Sequence, residues 1–207
     1  EDLREKVKFH PCPTTVLSKL CVLPKRNVQE PYIAVNCAFD RGDLRYGDRL
    51  ESIMFAVAKV LKQLSKDYKI KCYVQCNGDE QIGLFLDQMD VEYEIVTLTK
   101  ALSEEEYLRY FTEPELMLAT RGHAQMIPFG CKTPVVSMIS HDKLAWFLED
   151  IEHPEWGIEM KDEQFEQILL EKSRYMLEHR EEICAQIEDA QDRLWKIMQE
   201  NLRCLEL

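Results

Sequence analysis

Positive charge is scarce in this chain: 26 Lys and Arg stand against 38 Asp and Glu, which leaves its 207 residues at −12 near neutral pH. That balance excludes a general nucleic-acid or anionic-membrane binder, and any anionic ligand must be met by a local basic site. Long apolar runs are missing too; none approaches the roughly 18 residues of a membrane-spanning helix. The amino-terminal stretch EDLREKVKF is charged throughout and lacks an apolar core followed by small residues, so no signal peptide is read in it. No GxGxxG follows a strand pattern and no GxxxxGK[ST] occurs, which removes the main support for nicotinamide-dinucleotide and P-loop chemistry. A GxSxG nucleophile elbow is likewise absent. The eight cysteines are scattered without a CxxC pair or a finger-spaced His, so they read as mostly buried thiols of a reducing cytoplasm. No carboxylate or His cluster suggests a metal.

What is present is an ordinary globular composition, 45% hydrophobic and 31% charged, and enough chain for a real core. From residue 32 onward short β-rich runs alternate with helical patterns, the sign of a doubly wound parallel α/β sheet covered by helices on both faces. The expected strands are YIAVNC from Tyr32, KIKCYVQC, VEYEIVTL, LMLAT, and PVVSMI ending at Ile139: five strands and four crossovers. Asp48 and Asp79 read as caps of the helices after the first and second strands. Cys72 and Cys76 fall on one face if the second strand runs that far. Ser103 with Glu106 reads as a capping box. Three segments follow: 1–31, Pro-rich and weakly periodic, as a connector from another lobe; 32–160 as the Rossmann-like donor-binding domain; and 161–207 as long C-terminal amphipathic helices. From Asp162 onward 6 basic and 12 acidic residues carry half of the net charge, which fits a solvated helix pair over the domain.

In an open parallel sheet ligands bind beyond the carboxyl ends of the strands, so those junctions carry the chemistry. In LMLATRGHAQMIPFG an apolar strand runs straight into Arg121-Gly122-His123 and a helix start, where free N–H groups and the positive end of the dipole suit phosphate or carboxylate. Gly122 allows close backbone approach. The next junction, MISHDKLAWFL, puts His141 and Lys143 at the same sheet edge. Two imidazoles and two permanent cations are thereby expected together, with His123 best suited to exchange protons near neutral pH. A polar loop after the first strand, including Asn36, Arg41 and Arg45, could line the cleft, although its composition is also that of an ordinary turn.

The stretch from Leu116 to Ile151 resembles the C-terminal domain of the polysaccharide pyruvyl transferases: a strand, R-x-H opening a helix, a glycine before an apolar strand, and a lysine opening the next helix. CPTT at Cys12 to Thr15 and the following PYIAVN are also similar to that family's approach to its second domain. The resemblance implies a GT-B-type C-terminal lobe facing another lobe. It further implies transfer of a pyruvyl group from phosphoenolpyruvate, the donor substrate, to sugar hydroxyls as a ketal, without a cofactor or metal, in cytoplasmic synthesis of a surface polysaccharide. Arg121 and His123 match R-x-H and Lys143 matches the lysine, so the resemblance makes Arg121 and Lys143 donor-binding and His123 catalytic; Gly122 and His141 join the donor-binding set from their place at the same sheet edge, where His141 reads equally as a helix-capping or surface residue. The implied partners are a small-molecule donor and a glycan acceptor, with a missing N-terminal lobe or a second copy of the chain completing the cleft. GCKTP carries two more residues than the pattern, and a basic residue supplied by the family's other lobe has no counterpart here. Two other readings stay open: a GT-B glycosyltransferase holding the diphosphate of a nucleotide sugar, and a non-catalytic interaction domain using the apolar stripe from Phe165 to Leu202.

Overall fold

The computed structural model describes residues 7–98 and 102–204. Residues 1–6 of the charged amino-terminal stretch and the last three residues of the C-terminal helical pattern lie outside the described residues. The centre of the molecule is β1 (Tyr32–Asn36), whose five residues are all buried. A strand covered on both faces reads as a continuous apolar run, which YIAV does.

Beside β1 lie β2 (Lys69–Val74) on one side and β4 (Leu116–Ala119) on the other. The six-stranded sheet has the order β3-β2-β1-β4-β5-β6, with β3 at Glu94–Thr97, β5 at Val135–Ile139 and β6 at Gly157–Glu159. Every pairing is parallel. The chain builds outward from β1 to β3, then returns to add β4 on the other side of β1. The direction of winding therefore reverses between β1 and β4, where a doubly wound sheet opens its crevice.

The crossovers are helical. Short α2 (Gly42–Tyr46) and α3 (Leu50–Leu64) join β1 to β2, α4 (Ile82–Gln88) leads to β3, and α5 (Glu104–Thr112) returns to β4. After them α6 (Gly122–Gly130) and α7 (Asp142–Asp150) follow β4 and β5 directly. Burial of Ile53, Met54, Val57, Ala58, Val60, Leu61 and Leu64 fixes α3 flat on the sheet, each large side chain contributing about 1.5–3 kcal/mol. The Ser103–Glu106 capping box forms: Ser103 Oγ accepts from the Glu106 N–H at 3.2 Å, and Glu106 accepts from the Ser103 N–H at 2.9 Å.

Several expectations need correction. A sixth strand exists; β6 has three residues, too few for periodicity to reveal. Gly157 opens it because a Cβ there would stand 2.4 Å from Leu148 Cδ1 and 2.7 Å from Ile139 Cδ1. Asp48 is not a helix cap, since it sits in a 3₁₀ turn and α3 begins at Leu50 behind Arg49. Asp79 does not cap α4 either; it is buried, and its carboxylate faces the sheet. The second strand ends at Val74, so Cys76 lies exposed in the following turn, apart from buried Cys72.

Residues 13–20 form a 3₁₀ turn (Pro13–Val16) and one helical turn, α1 (Leu17–Leu20), packed on α6 and on the last helix. Gly130, at the end of α6, makes this approach possible: a Cβ there would stand 2.0 Å from the Thr14 carbonyl oxygen. The C-terminal pattern is two helices, α8 (Phe165–Glu178) and α9 (Arg180–Cys204), broken at His179. Helix α8 packs on α3 and under β4 and β5, and its Phe165, Leu169 and Met176 join the same core cluster as Ile183, Ile187, Leu194 and Met198 of α9.

Candidate functional site

The site lies beyond the carboxyl ends of the strands. There β4 and β5 each pass into a helix within two or three residues, because Arg121 and His141 take the extended backbone that ends a strand and sit at the N-cap positions of α6 and α7. Neither side chain caps its own helix. The first-turn N–H groups of both helices therefore keep their capacity to donate to a ligand, with the positive ends of two dipoles behind them.

A cleft of about 710 Å³ opens over these helix starts. Arg45, Arg121, Gly122, His123, His141 and Lys143 line one part of it, and Leu98, Tyr107, Met126 and Ile127 form an apolar wall. Thr14, Gln75 and Cys76 complete the lining. Among the described residues no carboxylate lines it, although the chain as a whole is strongly acidic. His123 and Lys143 are exposed, as the second residues of α6 and α7.

The structure thus brings together Arg45, Arg121, Gly122, His123, His141 and Lys143. It leaves two other candidates out of the cleft lining. Arg41 is exposed in a left-handed conformation before α2 (φ 55°). Asn36 is buried beneath the site, where its amide donates to the Tyr73 carbonyl at 2.9 Å and to Asp79 at 3.0 Å.

Arg121 is held by carboxylates. Its Nε and Nη2 donate to the two oxygens of Asp79 at 3.0 and 2.5 Å, and Nη2 also reaches Asp40 at 2.5 Å. Burial works against its charge, but the bonds and charge of Asp79, then of Asp40, outweigh it and hold its pKa above the usual value. Its Nη1 is the end that these bonds do not use. Asp79 in turn accepts from the N–H groups of Gln75 and Cys76 at 3.2 and 3.1 Å. One buried carboxylate therefore ties the end of β2, the end of β1 through Asn36, and the β4–α6 turn into a single unit beneath the cleft.

Around the other helix start, Arg45 spans the loop after β1. Its Nε donates to the Asp40 carbonyl at 3.0 Å, and its Nη1 lies 3.3 Å from Ser140 Oγ and 3.2 Å from His141 Nδ1. Burial, then the charges of Arg45 and Lys143, push the pKa of His141 below its ordinary value, against the pull of Asp142 and Asp40. The pKa of Asp40 is lowered: burial raises it, but the hydrogen bond and charge of Arg121, followed by Arg45, prevail.

Asp79 is the residue that sequence reasoning misassigned. The available signal was its place, three residues after the cleft-lining Cys76, at the carboxyl end of the strand beside β1. Nothing local, however, announces a partner 42 positions away. Tyr107 and Met126, which line the apolar side of the cleft, carry no local sequence signal that sets them apart from other residues of α5 and α6. Among the described residues no group of three or more His, Cys, Asp or Glu is disposed to hold a metal ion.

No family model and no curated protein matches the sequence. Solved structures match the fold. One is described as a UDP-N-acetylglucosamine 2-epimerase from Listeria monocytogenes, with a TM-score of 0.52 and 13% identity over 95% of this chain and 49% of that one. Another is TarM, at 0.52 and 13% over 87% of this chain and 36% of that one. A third is a UDP-forming α,α-trehalose-phosphate synthase from Burkholderia xenovorans, at 0.51 and 10% over 86% and 45%. The chain spans half or less of the length of these structures. At such identities the likeness establishes the fold: a Rossmann-like lobe of GT-B type with long C-terminal helices. Among the described residues no helix is long and apolar enough to cross a membrane.

Proposed function

We propose that this chain is the donor-binding lobe of a polysaccharide pyruvyl transferase, taking phosphoenolpyruvate and transferring its pyruvyl group to a glycan. The observation that carries the reading is the cleft itself. Three cationic side chains, two imidazoles and two helix amino ends converge there with no carboxylate among the described lining residues. A donor carrying both a phosphate and a carboxylate suits such a site.

Lys143, the helix ends and the unused Nη1 of Arg121 bind the two acidic groups, and His123 moves the proton. The chemistry balances on two sugar hydroxyls. Both oxygens bond to C2 of the donor, the C2–O bond to phosphate breaks, one hydroxyl proton ends on C3 to make a methyl group, and the other leaves with phosphate. His123, exposed over the cleft, suits both receipt and delivery of a proton. The acceptor in this reading is a glycan met in the cytoplasm, and a facing lobe, on a longer chain or a second copy, completes the cleft.

A second reading, transfer from a nucleotide sugar, is favoured by the fold neighbours, two of whose names refer to UDP or a UDP-sugar. Against it stands the lack, among the described lining residues, of a carboxylate for ribose hydroxyls. Thermal-shift titration with phosphoenolpyruvate beside UDP- and GDP-sugars separates the two. A ligand at a hundred times its Kd adds about 2.7 kcal/mol to the native state. Stabilisation by phosphoenolpyruvate that Lys143→Ala abolishes supports pyruvyl transfer. Stabilisation by a nucleotide sugar alone supports the second reading.

A further inference from the structure

We infer that Arg45 is a positioning residue that locks His141 in its Nε2–H tautomer, so that this imidazole serves the cleft as a neutral hydrogen-bond donor and not as a base. The argument rests on donor inventory. Arg45 Nη1 stands 3.2 Å from His141 Nδ1, and a guanidinium carries only donors and never deprotonates in a protein. A proton on Nδ1 would set donor against donor. The ring nitrogen facing Arg45 must therefore present its lone pair, and the one proton of the neutral ring goes to Nε2.

Ser140 reinforces the arrangement. Its Oγ accepts from Arg45 Nη1 at 3.3 Å and lies 3.0 Å from the same Nδ1, so that in the Nε2–H tautomer its hydroxyl hydrogen shares with Arg45 the single lone pair that Nδ1 offers. Arg45 cannot easily swing away. Its side chain is 15% exposed, its Nε donates to the Asp40 carbonyl, and its Nη2 lies 3.5 Å from the Asp40 carboxylate, which Arg121 holds from the other side. A tautomer set by the partner of the opposite ring nitrogen is the arrangement by which metal-ligating histidines are oriented, here with a cation in place of the usual acceptor.

The two imidazoles of the cleft consequently differ in kind. His141 can take a second proton only on Nδ1, which means expelling Arg45 while Lys143 stands in the first turn of the same helix; only Asp142 and Asp40 pull the other way. Its contribution is an N–H for a ligand oxygen. His123 stands on α6, outside this Arg45–Ser140 bracket, and is left as the group that exchanges protons. What the Nε2–H meets rests on the donor reading of the cleft; the tautomer does not.

The test is long-range proton–nitrogen correlation NMR on ligand-free protein carrying ¹⁵N-labelled histidine, with His141 assigned by the signal lost in His141→Gln. The expected pattern has Nδ1 unprotonated and Nε2 protonated, with no averaging between tautomers near pH 7.5. In Arg45→Met the two nitrogens should move toward averaged shifts and the titration midpoint should rise, whereas Arg45→Lys, which keeps a donor, should retain part of the preference. An Nδ1–H tautomer, or an averaged one, in the unaltered protein overturns the proposal even if no variant folds. Inorganic phosphate then serves as the probe of the Nε2–H. A shift centred on Nε2 supports its use as a donor, and saturable phosphate binding that leaves it unmoved refutes that use. Failure of phosphoenolpyruvate to bind would count against the pyruvyl transfer reading while leaving the tautomer result in place.

Discussion

Asp79→Ala removes the shared acceptor beneath the cleft. Asp79 is 1% exposed, and its carboxylate is the acceptor for five donor groups: Arg121 Nε and Nη2, the Asn36 amide, and the backbone N–H groups of Gln75 and Cys76. Removing one partner of a buried pair costs about 3–5 kcal/mol, because the other charge stays buried and uncompensated. Asp40 remains beside Arg121 and limits that term. The N–H groups of Gln75 and Cys76 also lose their acceptor, but they lie in a part-buried turn that water reaches and add little to that cost. A loss of about 3–5 kcal/mol is therefore expected, a large fraction of the 5–15 kcal/mol typical of a domain, with Tm falling by roughly 6–20 °C at this chain length. Equilibrium urea unfolding measures it directly. Asp40→Ala is the internal control: its side chain is 39% exposed, and a pair at such a surface is worth about 0–1 kcal/mol. The double variant Asp79→Leu with Arg121→Met should recover part of the loss, because no charge is then stranded, but not all of it, because the Asn36 amide and the N–H groups of Gln75 and Cys76 still lack this acceptor. A loss below about 1 kcal/mol in Asp79→Ala would refute the view that this carboxylate ties the three strand ends together.

Gly130→Ala should destabilise by about 1–3 kcal/mol, since its Cβ would stand 2.0 Å from the Thr14 carbonyl and one backbone must retreat; unchanged urea midpoints would show that the approach is not needed. His123→Ala and Lys143→Ala, at exposed positions, should leave stability within about 0.5 kcal/mol while weakening phosphoenolpyruvate binding in calorimetric titration, and a loss of stability instead would assign them a structural role. The depressed pKa of His141 means that the native state binds fewer protons than the unfolded one, so its contribution to stability is present above 6.5 and is lost as pH falls through the native value. Asp40 acts in the same sense but only below 3.8, so urea midpoints between pH 7.5 and 5 should fall less in His141→Gln than in the unaltered protein; equal slopes would show that His141 is not the group responsible.

How much of this was legible in the sequence follows from the range over which each signal acts. β1, β4 and β5 could be read because a parallel strand buried on both faces needs an unbroken apolar run, a property of adjacent residues, whereas β2 and β3 show only β-rich stretches with charged residues among them. The capping box at Ser103 was legible for the same reason: its two partners are three residues apart. Arg121, His123, His141 and Lys143 could be placed in one cleft because a doubly wound topology brings the starts of consecutive helices to one edge of the sheet. Tertiary partners were not legible. Asp79 has the local context of a helix cap, and only the return of the chain to β4, after β3, places Arg121 over it. The same return puts Arg45 against His141, 96 positions later. It also makes a histidine that opens a helix, a residue open to solvation or capping on sequence grounds, into one whose proton has a fixed place.

The two carboxylates beneath the cleft explain how an acidic chain keeps a cationic site in working order. Arg121, 12% exposed, would be costly to hold in an apolar sheet crevice without an anion, and Asp79 with Asp40 provides one from below. That pairing neutralises the buried part of the guanidinium, while the groups that reach the opening, Lys143 and His123 with the helix amino ends behind them, have no carboxylate beside them among the described lining residues. The buried negative charge of Asp79 thus lies on the floor, where it fixes geometry, and no carboxylate is among the described residues that line the cleft. Two layers of opposite sign, ordered by depth at the point where the winding reverses, set a cationic opening into a fold with a net charge of −12.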